Sequence, residues 1–129
     1  MTKRRSPKRK ISARRRRRRV QFLGKPGCTT CEKAQKFMEN RGYHLEYRDL
    51  WKNPLSVAEL EKLIGPRDHT EFLNTRSEVY REQNLKENSP TRGEAIRMMA
   101  NEPGLIRRPV VVAGGRVVVG FDEKGMARL

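Results

Sequence analysis

The chain lacks the features of several large classes of protein. Its 129 residues contain only two cysteines, Cys28 and Cys31, which is too few for a disulfide-stapled secreted scaffold. Its only histidines, His44 and His69, lie far apart and lack the spacing of a metal site. No apolar run approaches the ~20 residues that span a bilayer, and none follows the basic N-terminus as in a signal peptide. We therefore expect a cytoplasmic protein without a membrane segment or a metal site.

Nucleotide-binding motifs are missing as well. The sequence contains neither Gly-x-Gly-x-x-Gly nor a phosphate loop ending in Gly-Lys-Ser/Thr. We therefore expect no bound flavin, nicotinamide or nucleotide cofactor. The length suits one domain with one hydrophobic core.

Acidic residues are absent from residues 1–19, which hold 12 of the 30 lysines and arginines. The formal charge of the whole chain is +15, but residues 20–129 keep 18 basic and all 15 acidic residues, a charge of only +3. We predict that residues 1–19 are a disordered basic tail in front of a folded domain at 20–129. The tail either makes nonspecific contacts with nucleic acid or another polyanion, driven by counterion release, or has no function because translation starts at an alternative codon at Val20, where the first strand begins.

The stretch at residues 20–41 contains both cysteines and the predicted elements that position them. An apolar run at Val20, Phe22 and Leu23 predicts a short buried strand, and the glycines and proline after it predict a turn. From Cys31 onward the apolar residues recur with helical spacing until Gly42. The predicted order is strand, loop, Cys28 and helix.

Cys28 therefore falls at a helix N-terminus, where unpaired N–H groups and the helix dipole favour the thiolate. Cys31 follows one helical turn later, close enough to resolve a mixed disulfide. The pair predicts thiol–disulfide chemistry, with Cys28 as the nucleophile and Cys31 as the resolving thiol. The alternatives are half of a zinc site, for which a second ligand pair is missing, and two inert buried cysteines.

The rest of the chain predicts a mixed sheet covered by helices. Alternation at 44–50 predicts a second strand, which a helical crossover would make parallel to the first. Two capping boxes, Ser56 with Glu59 and Thr91 with Glu94, predict helices, and residues 70–84 predict one or two short ones. Two valine-rich runs around Gly114-Gly115 predict a hairpin with a two-residue primed turn, and a short helix follows Phe121. The fold class is α/β.

Four motifs in this order resemble the arsenate reductase-like family of ArsC and Spx. They are GKPGCTTC at 24–31, NTRSEVY at 74–80, NEPGLIRRPVVV at 101–112 and VGF at 119–121. The resemblance covers about residues 20–126, all but the tail. It implies a thioredoxin-like fold with a helical insertion.

The resemblance also implies roles for single residues. In the reductase branch the first cysteine, here Cys28, attacks an oxyanion that arginines matching Arg76 and Arg108 hold. A guanidinium fork suits such an anion and also stabilises a thiolate. Pro109 matches the cis-proline that faces the thiol. Without the resemblance, Arg107 and Arg108 would be read as solvated charges beside a strand, and Arg76 as the partner of Glu78 or Asp68 in an ion pair.

Two departures separate the chain from the reductase branch. Gly24 stands where reductases have a histidine, and Gly120 stands where they have a third arginine. Cys31, which those reductases lack, matches the Cys-x-x-C switch of the Spx branch, whose members are redox-sensing partners of RNA polymerase.

Two functions are therefore expected. The first is a thiol–disulfide oxidoreductase acting on a small oxyanion or a disulfide, with glutathione and glutaredoxin, or thioredoxin, as the reductant. The alternative is a redox-sensing regulator that binds RNA polymerase.

Overall fold

The computed structural model describes residues 19–129. The strands are β1 (Arg19–Gly24), β2 (His44–Asp49), β3 (Val110–Ala113) and β4 (Arg116–Val119). The α-helices are α1 (Thr29–Asn40), α2 (Val57–Ile64), α3 (Glu78–Glu82), α4 (Arg92–Asn101) and α5 (Glu123–Ala127). Two 3₁₀ turns lie at His69–Phe72 and Pro103–Leu105.

The first strand begins one residue earlier than predicted. Arg19, which its charge placed in the tail, pairs with His44 in the sheet, and its side chain forms a 3.1 Å ion pair with Glu46. The rest of the predicted tail, residues 1–18, lies outside the described residues.

The four strands form one mixed sheet in the order β2-β1-β3-β4. β1 and β2 are parallel and joined by α1, while β3 runs antiparallel to both β1 and β4. The segment between β2 and β3 holds α2, α3, α4 and both 3₁₀ turns. This is the thioredoxin-like arrangement with a helical insertion, as the resemblance implied.

Adjacent residues of the central strands face opposite sides of the sheet and build two apolar clusters. Leu23 and Val110 pack towards α2 and α4, while Phe22 and Val111 pack towards α1 and α5. Cys31 belongs to the second cluster, so the core of the protein fixes one of the two thiols in place.

Local signals in the sequence account for the helix starts and the hairpin. Both predicted capping boxes form, at the N-termini of α2 and α4. Gly114, the first of the two turn residues in the hairpin, has a φ of +61°, which a type II′ turn requires there. Among residues 19–129 no helix has both the length and the apolar character needed to cross a membrane.

Candidate active site around Cys28

Cys28 is the residue that caps α1. Its backbone is extended, with φ −82° and ψ 118°, and its carbonyl accepts the N–H of Glu32 at 2.9 Å. The sulfur therefore lies at the positive end of a 12-residue helix, beside N–H groups with no partner inside the helix. Cys28 is half-buried, whereas Cys31 is 1% exposed. Both are free thiols.

The pKa values of the two thiols are shifted in opposite directions. Partial burial opposes ionisation of Cys28, but the backbone N–H and thiol of Cys31, followed by the guanidinium of Arg108, bring its pKa below the ordinary value. Burial raises the pKa of Cys31 to about 11, and the neighbouring Cys28 adds to the rise. These opposite shifts favour ionisation of the half-buried Cys28 thiol over that of the buried Cys31 thiol, which is what the predicted roles of nucleophile and resolving thiol require.

Cys28 opens into a cleft of about 730 Å³ with three arginines in its walls, namely Arg76, Arg107 and Arg108. Within residues 19–129 none of these arginines is paired with an acid. Glu71 also lines the cleft, but Arg67 binds it at 3.0 Å. Three uncompensated guanidinium groups around a thiol favour a thiolate or a bound anion there.

Arg108 is half-buried and has few partners. Its Nη1 makes only long hydrogen bonds, to the carbonyl of Ile106 at 3.4 Å and to that of Pro103 at 3.5 Å. Its Nε is buried and has no hydrogen-bond partner in the described part of the chain. The Arg108–Pro109 peptide bond is cis, as the resemblance implied.

Arg76 lines the same cleft and is exposed. Its backbone N–H donates to Asn74 Oδ1 at 3.1 Å, which orients the loop before α3. The alternative ion pair with Glu78 or Asp68 does not form in the region the structure describes. The structure thus brings Cys28, Arg76 and Arg108 to one cleft, while their roles there stay predictions.

The side chain of Arg107 covers Gly120, the position where reductases of this family have an arginine. A β-carbon built on Gly120 would come within 2.8 Å of Arg107 Nε and 3.0 Å of Arg107 Cζ, so the guanidinium covers this glycine. Gly120 is buried and has a φ of +76°. A guanidinium therefore lies over the position where the resemblance implied a third arginine, but it belongs to Arg107, in the segment before β3. Arg107 is exposed, which fits its interpretation from the sequence as a solvated charge.

Gly24, the other departure, has no room for a side chain. A β-carbon there would lie 3.1 Å from each of three atoms: Cys31 Sγ, Phe22 Cε1 and the Tyr47 hydroxyl oxygen. Tyr47 stacks on Phe22 with ring centroids 5.1 Å apart. Burial, and then the charge of Cys31, raises the pKa of Tyr47 to about 12, so its hydroxyl stays protonated near the Cys31 thiol. Sequence reasoning missed this residue.

No metal centre competes with this interpretation in the part of the chain that is described. There, no group of three or more His, Cys, Asp or Glu side chains is arranged to hold an ion. The arrangement around Cys28 suits nucleophilic thiol chemistry on an anionic or disulfide substrate.

Comparison with known proteins agrees with the fold. The model of the ArsC family matches residues 23–129. The global transcriptional regulator Spx of Bacillus subtilis (strain 168) is 31% identical over 111 residues, which are 84% of this chain and 85% of that protein.

Solved structures of the same family superpose on this one. An ArsC family related protein from Bacteroides fragilis has a TM-score of 0.77 and 31% identity, covering 84% of this chain and 95% of that one. An arsenate reductase from Vibrio cholerae has a TM-score of 0.75 and 25% identity, covering 85% of this chain and 96% of that one.

Proposed function

The chain belongs to the ArsC family, and from that premise we propose that it is a thiol–disulfide oxidoreductase with Cys28 as nucleophile and Cys31 as resolving thiol. The observation that carries the proposal is the pair of opposite pKa shifts at a helix N-terminus, lowered at Cys28 and raised at Cys31. Such a pair provides an ionised attacking sulfur and keeps the second sulfur protonated until it is needed.

With a disulfide substrate, the reaction begins when the Cys28 thiolate attacks one sulfur. A mixed disulfide forms, and the other half of the substrate leaves as a thiolate that takes up a proton. Cys31 then loses its proton as its sulfur attacks Cys28, and the second half of the substrate leaves as a thiol. The substrate gains two electrons, the protein is left with a Cys28–Cys31 disulfide, and glutathione with glutaredoxin, or thioredoxin, reduces it.

The cleft supports an anionic substrate such as arsenate. Arg108 and Arg107 would hold the oxyanion next to Cys28, with Arg76 in the same cleft. Cys28 would displace an oxygen of the arsenate as water to form a sulfur–arsenic bond. Attack by a second thiol on Cys28 would then leave arsenic(III) and a disulfide, which balances the two electrons.

Steady-state assays test the proposal on two substrates. Purified protein is assayed for arsenate reduction with glutathione and glutaredoxin, and for reduction of a disulfide with thioredoxin as the recycling system. We expect Cys28→Ser to abolish turnover and Cys31→Ser to lower it by slowing resolution. Wild-type turnover no greater than that of Cys28→Ser on both substrates would refute an enzymatic role.

A second candidate function is a redox-sensing regulator that binds RNA polymerase. The similarity to Spx of B. subtilis favours it, since a relative named a global transcriptional regulator matches over most of both chains. The same disulfide would then act as a switch and not as a turnover intermediate. RNA polymerase captured by the oxidised but not by the reduced protein, with Cys31→Ser as the control that cannot oxidise internally, would favour this function.

A further inference from the structure

Trp51, the only tryptophan of the chain, lies against two cations near the thiol site. The Arg108 guanidinium carbon is 4.7 Å from the centre of its ring system, and the Lys25 ammonium nitrogen is 4.4 Å from it. Both distances are within the ~6 Å over which an aromatic face attracts a cation. The indole is 41% exposed, so burial alone does not explain its position.

Apart from Cys28, whose pKa it lowers, the guanidinium of Arg108 has few partners that hold it in place. Its two hydrogen bonds to carbonyls are 3.4 and 3.5 Å long, beyond the usual range for N–H to O, and its Nε has no partner in the described residues. Within residues 19–129 no acid is paired with it. The stacked indole is therefore a principal restraint on the orientation of this guanidinium.

The backbone around Trp51 is anchored to the thiol loop. Leu50, fully buried, donates its N–H at 3.0 Å to the carbonyl of Gly24, the last residue of β1 before the Cys28 loop. The N–H of Trp51 donates to Asp49 Oδ1 at 2.9 Å, which sets the turn after β2. A β-carbon built on Gly104, in the segment that leads to Arg108, would lie 3.8 Å from Trp51 Cζ2. Trp51 therefore lies close to that segment as well as to the thiol loop.

We infer that Trp51 is a positioning residue of the thiol site, holding the guanidinium of Arg108 beside Cys28 through its aromatic face, with the Lys25 ammonium against the same ring. Trp51 acts through the guanidinium of Arg108 and takes no part in the bond changes at sulfur. The inference rests on the proposed thiol chemistry of Cys28, but it concerns the reduced protein, so it can be tested without any turnover.

The test is the pH profile of Cys28 alkylation by iodoacetamide, with fragmentation mass spectrometry to locate the modified cysteine. Trp51→Leu removes the aromatic face but keeps an apolar side chain. Below the midpoint of the profile we expect the rate of Cys28 alkylation to fall about threefold to tenfold, the loss expected when the Arg108 guanidinium is no longer held beside the thiol. Trp51→Phe keeps a π face and should restore most of the rate.

Val57 offers a matched control because it is 40% exposed, almost the same as Trp51, and lies on α2 away from the cleft. Val57→Ala should leave the profile unchanged. A profile of folded Trp51→Leu identical to that of wild type, or an equal shift in Val57→Ala, would overturn the inference. So would equal losses in Trp51→Phe and Trp51→Leu.

A second measurement does not depend on the stability of the Trp51 variants. Because the chain has one tryptophan, its fluorescence reports on Trp51 alone. Arg108→Ala in the intact chain should shift the intensity or wavelength of emission, and an unchanged spectrum would also overturn the inference. Failure of wild type to turn over both arsenate and a disulfide would instead refute the proposed function while leaving the alkylation and fluorescence results interpretable.

Discussion

Replacing Gly120 by alanine tests whether the Arg107 guanidinium binds anions in the cleft, in place of the arginine that reductases have at position 120. The new β-carbon would meet Arg107 Nε at 2.8 Å, too close for any real contact, so the guanidinium must move. It can move cheaply because it is the end of a flexible side chain. The positive φ of Gly120 adds backbone strain, which costs a non-glycine residue roughly 1–2 kcal/mol of folding free energy.

Gly114 separates the two effects. It too has a positive φ, +61° against +76° at Gly120, but a β-carbon built on it has nothing within 4 Å. We expect both alanine variants to lose about 1–2 kcal/mol of unfolding free energy in urea. Only Gly120→Ala should also weaken the binding of sulfate, used as a tetrahedral oxyanion probe, by roughly threefold to tenfold, because one charge-assisted contact is displaced.

Isothermal titration of sulfate into each reduced variant measures this difference. Arg107→Ala should weaken sulfate binding to a similar extent, and adding Gly120→Ala to it should cause little further loss, since both changes remove the same guanidinium. The reasoning is refuted if Gly120→Ala binds sulfate as wild type does. It is equally refuted if Gly114→Ala, remote from the cleft, loses as much affinity.

Three further predictions follow from the thiol site and the tail. Between pH 6 and 7 iodoacetamide should modify Cys28 far faster than Cys31, because the pKa of Cys28 is lowered and that of Cys31 is about 11. If mass spectrometry shows that Cys31 is modified faster, the roles of the two cysteines are reversed. Arg108→Lys keeps the charge but loses the planar fork, so it should lower anion-dependent activity while changing the melting temperature little. Arg108→Ala should also raise the pKa of Cys28. Unchanged activity and an unchanged alkylation rate in both variants would contradict this prediction. A chain lacking residues 1–18 should unfold cooperatively and keep its thiol reactivity, whereas DNA binding by the full chain should fall steeply as salt is added. If the truncated chain still binds DNA, the tail is not the source of that binding.

Most of the secondary structure around Cys28 could be predicted because the sequence signals for it are local. The change from β-forming residues to a turn and then to helical spacing places Cys28 at the cap of α1. Each capping box is complete within four residues, and Gly114-Gly115 identifies the hairpin. Arg19 was misassigned because its charge resembles that of the tail, whereas its backbone pairs with β2.

The side chains that the sequence did not reveal come to the site through tertiary packing. Trp51 follows β2, which is parallel to β1, and the carboxyl ends of parallel neighbours meet at one edge of a sheet. That rule could have placed Trp51 beside the Cys28 loop. In the same way the hairpin register, in which the N–H of Gly120 bonds to the carbonyl of Pro109 at 2.7 Å, could have placed Arg107 near Gly120.

Trapping the covalent intermediate tests the division of roles between the two cysteines most directly. Reduced wild type, Cys28→Ser and Cys31→Ser are each mixed with oxidised glutathione, quenched with acid and analysed by intact-mass and fragmentation mass spectrometry. The structure predicts that Cys31→Ser accumulates a glutathione adduct on Cys28. In wild type this adduct is converted into the internal Cys28–Cys31 disulfide, and Cys28→Ser reacts slowly. An adduct forming on Cys31 as fast as on Cys28, or wild type that stops at the Cys28 adduct, would contradict a mechanism in which Cys28 attacks and Cys31 resolves.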